Sequence, residues 1–228
     1  MRIKNPFADL TGFERMLWLG SVLVIVVSCL LSGGGDWLSV VASVIGVTAL
    51  IFVAKGYVLG QVLTVVFAGF YGTISFFFRY YGEMLTYLGM TAPMAVVSAI
   101  SWLRNPYAGT KEVAVHRLTR GQFFWMVVMS AVSTAVFYVL LRTLGNANLL
   151  FSTISVTTSF VAAYLTCCRS PYYALGYGTN DVVLIVLWIL ATMEDRRYLP
   201  MVVCFVMFLV NDLYGFWNWQ RMARRQTG

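Results

Sequence analysis

Residues 172–193 read YYALGYGTNDVVLIVLWILATM. The run is apolar apart from Asn180-Asp181 near its middle, and it has the roughly 20-residue length that a helix needs to cross a bilayer. A charged side chain at that depth costs on the order of 2.5–3.5 kcal/mol on insertion scales. The stretch therefore predicts a membrane fold and also a task for the acid.

Seven further segments qualify or nearly so, at 16–31, 37–54, 57–78, 84–102, 123–141, 149–166 and 199–219. Together they predict an all-α integral membrane protein of about eight transmembrane helices. Segment 16–31 follows Arg2, Lys4 and Arg15 as a signal peptide does, but Ser32-Gly33-Gly34-Gly35-Asp36 reads as a turn and not as a cleavage site. It is read as a retained anchor. Composition agrees with the count. The 228 residues are 60% hydrophobic and 11% charged, with mean hydropathy +0.77, against roughly 45–50% and about 25% in soluble domains. A chain of this size has too much surface to hide that excess in one core.

The net charge of +7 does not point to nucleic acid. The basic residues sit in short runs between apolar stretches, which suits anionic headgroups and topology signals. With eight spans and a cytoplasmic N-terminus, the inner segments hold Arg2, Lys4, Arg15, Lys55, Arg104, Lys111, Arg117, Arg120, Arg169, Arg221, Arg224 and Arg225. The outer loops hold Arg79, Arg142, Arg196 and Arg197. This 12-to-4 division of the 16 cations follows the positive-inside rule and predicts both termini in the cytoplasm. Dropping one span would reverse half the chain and spoil it. Cys29, Cys167, Cys168 and Cys204 lie in or beside apolar segments without metal-ligand spacing, and His116 is the single histidine. No metal site, cofactor or disulfide framework is expected.

An internal repeat is visible at a constant offset of 116 residues: Ser39, Val40, Ser43, Tyr57, Leu59 and Gly60 recur as Ser155, Val156, Ser159, Tyr173, Leu175 and Gly176. With one extra residue, Met94, Ser98 and Trp102 align with Asn211, Gly215 and Trp219. Chance likeness between apolar segments is the competing explanation. The repeat divides the chain into an N-terminal tail and extra helix (1–36), a first three-helix repeat (37–102), a basic cytoplasmic loop with a linker helix (103–148), a second three-helix repeat (149–222) and a tail (223–228). Three is odd, so the linker restores orientation and the two triplets run parallel. That is a transporter plan with its site near the midplane between halves.

Helical spacing of 100° per residue gathers the polar candidates. Tyr177, Asp181, Leu184 and Trp188 share a stripe, with Asn180 at its edge. In the other half the equivalent stripe is Gln61, Thr64, Ala68, Gly72 and Ser75. A flat ring stacked on Trp188 or Tyr177 would take hydrogen bonds from Gln61, Thr64 and Asn180. On the last span Asn211 and Gly215 share a face with Asn218. The bland alternatives are protonated or hydroxyl-bonded acids, interfacial tryptophans, and glycines that only let helices approach.

Tyr177-Gly-Thr-Asn-Asp-Val-Val-Leu-Ile-Val-Leu-Trp188 and Asn211-Asp-Leu-Tyr-Gly-Phe-Trp-Asn-Trp219 resemble the last two helices of the PnuC family of vitamin transporters, over roughly residues 37–222. The resemblance implies a SWEET-like 3+1+3 fold, often a homotrimer, in the cell inner membrane. It implies uptake of nicotinamide riboside, or of thiamine or another vitamin or nucleoside, by facilitated diffusion. A cytoplasmic kinase then traps the substrate by phosphorylation. The family's Asn–Gly–Trp pattern is intact at Asn211, Gly215 and Trp219, whereas Met94 and Ser98 replace its Asn and Gly in the first half. The expected substrate-binding residues are Gln61, Thr64, Tyr177, Asn180, Asp181, Trp188, Asn211 and Gly215. An intramembrane enzyme would need a catalytic constellation that one histidine and two helix aspartates supply poorly. A non-transporting scaffold is the remaining class, and uptake by the protein alone separates it.

Overall fold

A computed structural model describes residues 5–31, 37–77, 81–146 and 148–227. The described residues are helical almost throughout, with two isolated β-bridges, Tyr57 to Glu112 and Pro106 to Val113. The helices are α1 (Gly12–Leu31), α2 (Trp37–Ala54), α3 (Val58–Phe77), α4 (Tyr81–Thr86), α5 (Ala92–Leu103), α6 (Arg120–Thr143), α7 (Leu149–Cys167), α8 (Tyr173–Glu194) and α9 (Leu199–Thr227). Seven described helical stretches are long and apolar enough to cross a membrane, and Leu38–Ala54 is a shorter apolar helix. Each expected span thus has its helix. The expected turn at 32–36 and Arg79 lie outside the described residues.

Two local features depart from the expected spans. The stretch expected as one helix over 84–102 starts at Tyr81 and is interrupted by a π turn, Tyr87–Thr91, between α4 and α5. Pro93 explains the turn: it has no N–H to bond back one turn, and the Ala92 N–H instead reaches Tyr87 O five residues earlier. Helix α9 has 29 residues, about 43 Å at 1.5 Å per residue, against a hydrocarbon core of about 30 Å. Its last turns, with Arg221, Arg224 and Arg225, therefore stand beyond the apolar layer. At the start of α6, Thr119 and Gln122 form a reciprocal capping box, at 3.2 Å from Gln122 N to the Thr119 hydroxyl and 2.9 Å from Thr119 N to the Gln122 side chain.

Helix α2 packs along α3 and α7 along α8, while α2 meets α9 and α5 meets α7 across the halves. Gly60 and Gly176, which the expected repeat aligns, sit where α3 meets α2 and where α8 meets α7. A Cβ on Gly60 would lie 2.4 Å from Val53 N, and one on Gly176 would lie 2.8 Å from Ala162 Cα. Helix α3 is thus pressed backbone-to-backbone on α2, and α8 on α7, as small residues allow in membranes. The tryptophans ending α5 and α9 play matching parts. Trp102 Nε1 donates to Thr166 O at 3.0 Å and Trp219 Nε1 to Val53 O at 2.9 Å, each reaching the end of the other half's first helix. Helices α1 and α6 turn apolar side chains outward (Leu19, Leu23, Leu30, Phe123, Val132 and Val136 among them), which suits lipid and not water.

Four segments expected on one membrane side converge. Lys111 pairs with Asp9 at 2.6 Å, Lys55 with Glu14 at 3.0 Å, and Arg225 with Glu112. Val113 N donates to Gly56 O at 2.9 Å and Val115 N to the Gln226 side chain at 2.7 Å, strapping the 104–119 loop over the α2–α3 turn and the end of α9.

Candidate functional site

Between α2, α3, the π turn, α7, α8 and α9 lies a small cavity of about 70 Å³. Helix α3 contributes Gln61, Thr64 and Phe67, the π turn Tyr87 and Thr91, α7 Ser159, α8 Tyr177, Asn180 and Asp181, and α9 Phe205, Phe208 and Asp212. Gly46 of α2 closes one wall, where a Cβ would meet Phe208 at 2.6 Å and Phe67 at 3.2 Å. The absence of a side chain there is what lets the two rings seat.

The polar groups are disposed unequally. Asn180 Oδ1 accepts from the Ser155 hydroxyl at 3.0 Å and from Thr158 Oγ1 at 2.9 Å. These two bonds fix the amide and leave its Nδ2 as the end available to a ligand. Gln61 is 3% exposed, and its amide forms no hydrogen bond among the described residues. A buried amide without a protein partner costs roughly 1–3 kcal/mol, so Gln61 is poised for something that enters the cavity. Thr64 is less free, since its hydroxyl bonds back to Gly60 O at 2.9 Å. Asp181 and Asp212 are both buried and line this cavity, and Asp181 Oδ2 has no donor among the described residues. No lysine, arginine or histidine lines the cavity. Nor do three His, Cys, Asp or Glu side chains cluster as a metal site among the described residues.

Of the expected substrate-binding residues, Gln61, Thr64, Tyr177, Asn180 and Asp181 meet in this cavity and three others do not. Trp188 lies in the aromatic cluster behind it, with Phe67, Phe205 and Phe208, its ring 5.7 Å from that of Tyr198. Asn211 points the other way: its Nδ2 donates to Ser21 Oγ of α1 at 3.0 Å and to Met207 O at 2.8 Å. Gly215 makes room for Tyr173, whose hydroxyl would stand 2.7 Å from a Cβ there. Gly72 likewise accommodates Leu88, at 2.5 Å from a Cβ, so the space expected opposite the aromatic stripe is filled by that side chain. Asp212, a second acid within a span that was not among the expected substrate-binding residues, lines the cavity as well. It neighbours Asn211 on α9, which does not line the cavity. Ser21 of the extra helix claims Asn211 instead.

The model of one protein family, described as Nicotinamide mononucleotide transporter, matches residues 36–221. This chain belongs to that family. Among its relatives is the nicotinamide riboside transporter PnuC of Neisseria mucosa, 31% identical over 231 residues covering 99% of this chain and 87% of that protein. The nicotinamide riboside transporter PnuC of Haemophilus influenzae is 22% identical, over 98% of this chain and 97% of that one. A crystal structure of the vitamin B3 transporter PnuC superposes with a TM-score of 0.83 at 28% identity, covering 96% of this chain and 95% of that chain. The likeness to the two relatives and to the crystal structure extends over α1, whereas the family match begins at residue 36. The family is one of membrane transporters, and the residues of α8 and α9 that suggested PnuC lie inside the matched region.

Proposed function

We propose that this protein carries nicotinamide riboside across the membrane by facilitated diffusion, with the cavity between α3 and α8 as its binding site. The observation that carries this reading is the meeting of Gln61 and Asn180, two amides with free donor capacity, in one buried, acid-lined space between the halves. An amide-bearing pyridinium riboside offers the complementary groups: carboxamide and hydroxyls for the two amides, and positive charge for Asp181. Its relatives in Neisseria mucosa and Haemophilus influenzae are nicotinamide riboside transporters.

A cavity of about 70 Å³ is well below the ~300–1,000 Å³ of ligand pockets, so binding requires the site to open. Displacement of the Phe67 and Phe208 rings toward the cluster behind them would bring the α8 stripe, and with it Trp188, to the ligand as a stacking surface. The two triplets, related as parallel repeats, would rock about this site. Both termini face the cytoplasm of a bacterial inner membrane in this reading, the protein assembles as a homotrimer, and a cytoplasmic kinase retains the riboside by phosphorylating it. Thiamine is the second reading, since its thiazolium is also cationic and suits the same acids. Calorimetric titration with both ligands tests the choice. Tighter binding of the riboside supports the first, and binding of thiamine alone replaces it.

A further inference from the structure

Asp181 and Asp212 come from adjacent helices, are 4% and 3% exposed, and line the same small cavity. Two like charges facing one small buried space resist joint ionisation, and a proton held between the pair relieves it. Nothing nearby offers a compensating cation. Tyr177 of α8 and Tyr87 of the π turn line the cavity with the pair, and the pair's own helices α8 and α9 carry the buried Tyr173 and Cys204, with Glu83 on α4. Helices α2, α3 and α7 bring only uncharged groups to the cavity wall. Lys55, at the end of α2, is held by Glu14 at 3.0 Å. Asp181 Oδ2 is left without a donor.

We infer that Asp181 and Asp212 act as one unit that selects a permanently charged heterocycle, the cation entering as the pair's shared proton leaves. This deepens the transport reading above and rests on it for the placement of substrate. The step balances: a pair with one proton carries one negative charge, a fully ionised pair carries two, and the arriving cation offsets the charge left by the departing proton. A neutral ring of the same shape has nothing to exchange for that proton, so it finds an uncompensated carboxyl pair. Asp212 thereby becomes a specificity-determining residue beside Asp181, and the two titrate jointly rather than singly.

The test is isothermal titration of the purified full-length protein with nicotinamide riboside and with its neutral 1,4-dihydro form. Phosphate and Tris buffers, which differ in ionisation enthalpy, report the protons exchanged. The riboside is expected to bind at least about tenfold more tightly than the reduced form. Its binding should release up to about one proton, so that affinity rises with pH by at most about tenfold per unit. Asp212→Asn and Asp181→Asn should each abolish the release and narrow the preference, while continued binding of the neutral form shows that the variants fold. Equal affinity for the two forms, or an unchanged preference in Asp212→Asn, overturns the inference and leaves nicotinamide riboside as the substrate. Binding of thiamine with proton release, and of neither riboside, overturns the substrate instead and upholds the carboxyl pair.

Discussion

Asn180 and Gln61 illustrate how one amide can be structural on one side and functional on the other. The Asn180 oxygen is spent on Ser155 and Thr158, and the Gln61 amide has no partner at all among the described residues. Removing either should leave a ligand group unpaired in a dry site, at roughly 1–3 kcal/mol. Gln61→Ala and Asn180→Ala are therefore expected to weaken riboside binding about 10- to 100-fold by calorimetry, with Asn180→Ala also lowering the melting temperature because the Ser155 hydroxyl loses its acceptor. Asn211→Ala should do the reverse, since its bonds run to Ser21 and Met207: a lower melting temperature with affinity nearly kept. A loss of binding as large as in Asn180→Ala would show that Asn211 reaches substrate. The cavity residues on α3 and α8 were legible because 100° spacing aligns them along their own helices. The exchange of Asn211 for Asp212 was not, because it depends on where α1 docks, which no periodicity within α9 encodes.

At the scale of helices, the repeat-related glycines make the sharpest claim. Gly60→Ala and Gly176→Ala would each place a methyl against a neighbouring backbone, and backbone cannot swing aside as a side chain does. Each is expected to destabilise by about 1–3 kcal/mol, seen as a lower melting temperature in detergent. Gly69→Ala, which meets nothing within 4 Å, should melt like the parent protein. Similar melting for all three would mean that the first two helices of each half are not pressed together as described. The spans themselves were readable because bilayer thickness fixes a length and hydrocarbon fixes a composition. The π turn was not, because Pro93 announces only that a hydrogen bond is missing; whether a helix answers with a kink or an extra residue is settled by packing, here with Tyr87 and Thr91 at the cavity.

For the whole molecule, the extra helix α1 is fastened to the core by one buried ion pair. Glu14 is 2% exposed and receives Lys55 at 3.0 Å and the Tyr214 hydroxyl at 2.8 Å. Lys55→Met strands that carboxylate and should cost about 3–5 kcal/mol; pairing it with Glu14→Gln should recover part of the loss, because stranding one partner costs more than removing both. A double variant no better than Lys55→Met would contradict this. The outer pair behaves differently. Lys111 beside Asp9 holds that carboxyl below its ordinary value of 3.8, so the tie is complete above the ordinary carboxylate range and is lost only as pH falls beneath it. Being exposed, it contributes little and fades with salt. The sidedness of these ties was foreshadowed by the division of cations between loops, whereas the docking of α1 was not, since Glu14 and Lys55 are 41 residues apart.

The most direct test of transport through this cavity is uptake of labelled nicotinamide riboside by proteoliposomes containing the purified protein alone, without nucleotide or an ion gradient. The account predicts saturable entry that stops when inside and outside concentrations are equal and that falls at least about tenfold in Gln61→Ala/Asn180→Ala. Entry unaffected by that double variant, or no entry beyond empty vesicles, would contradict it.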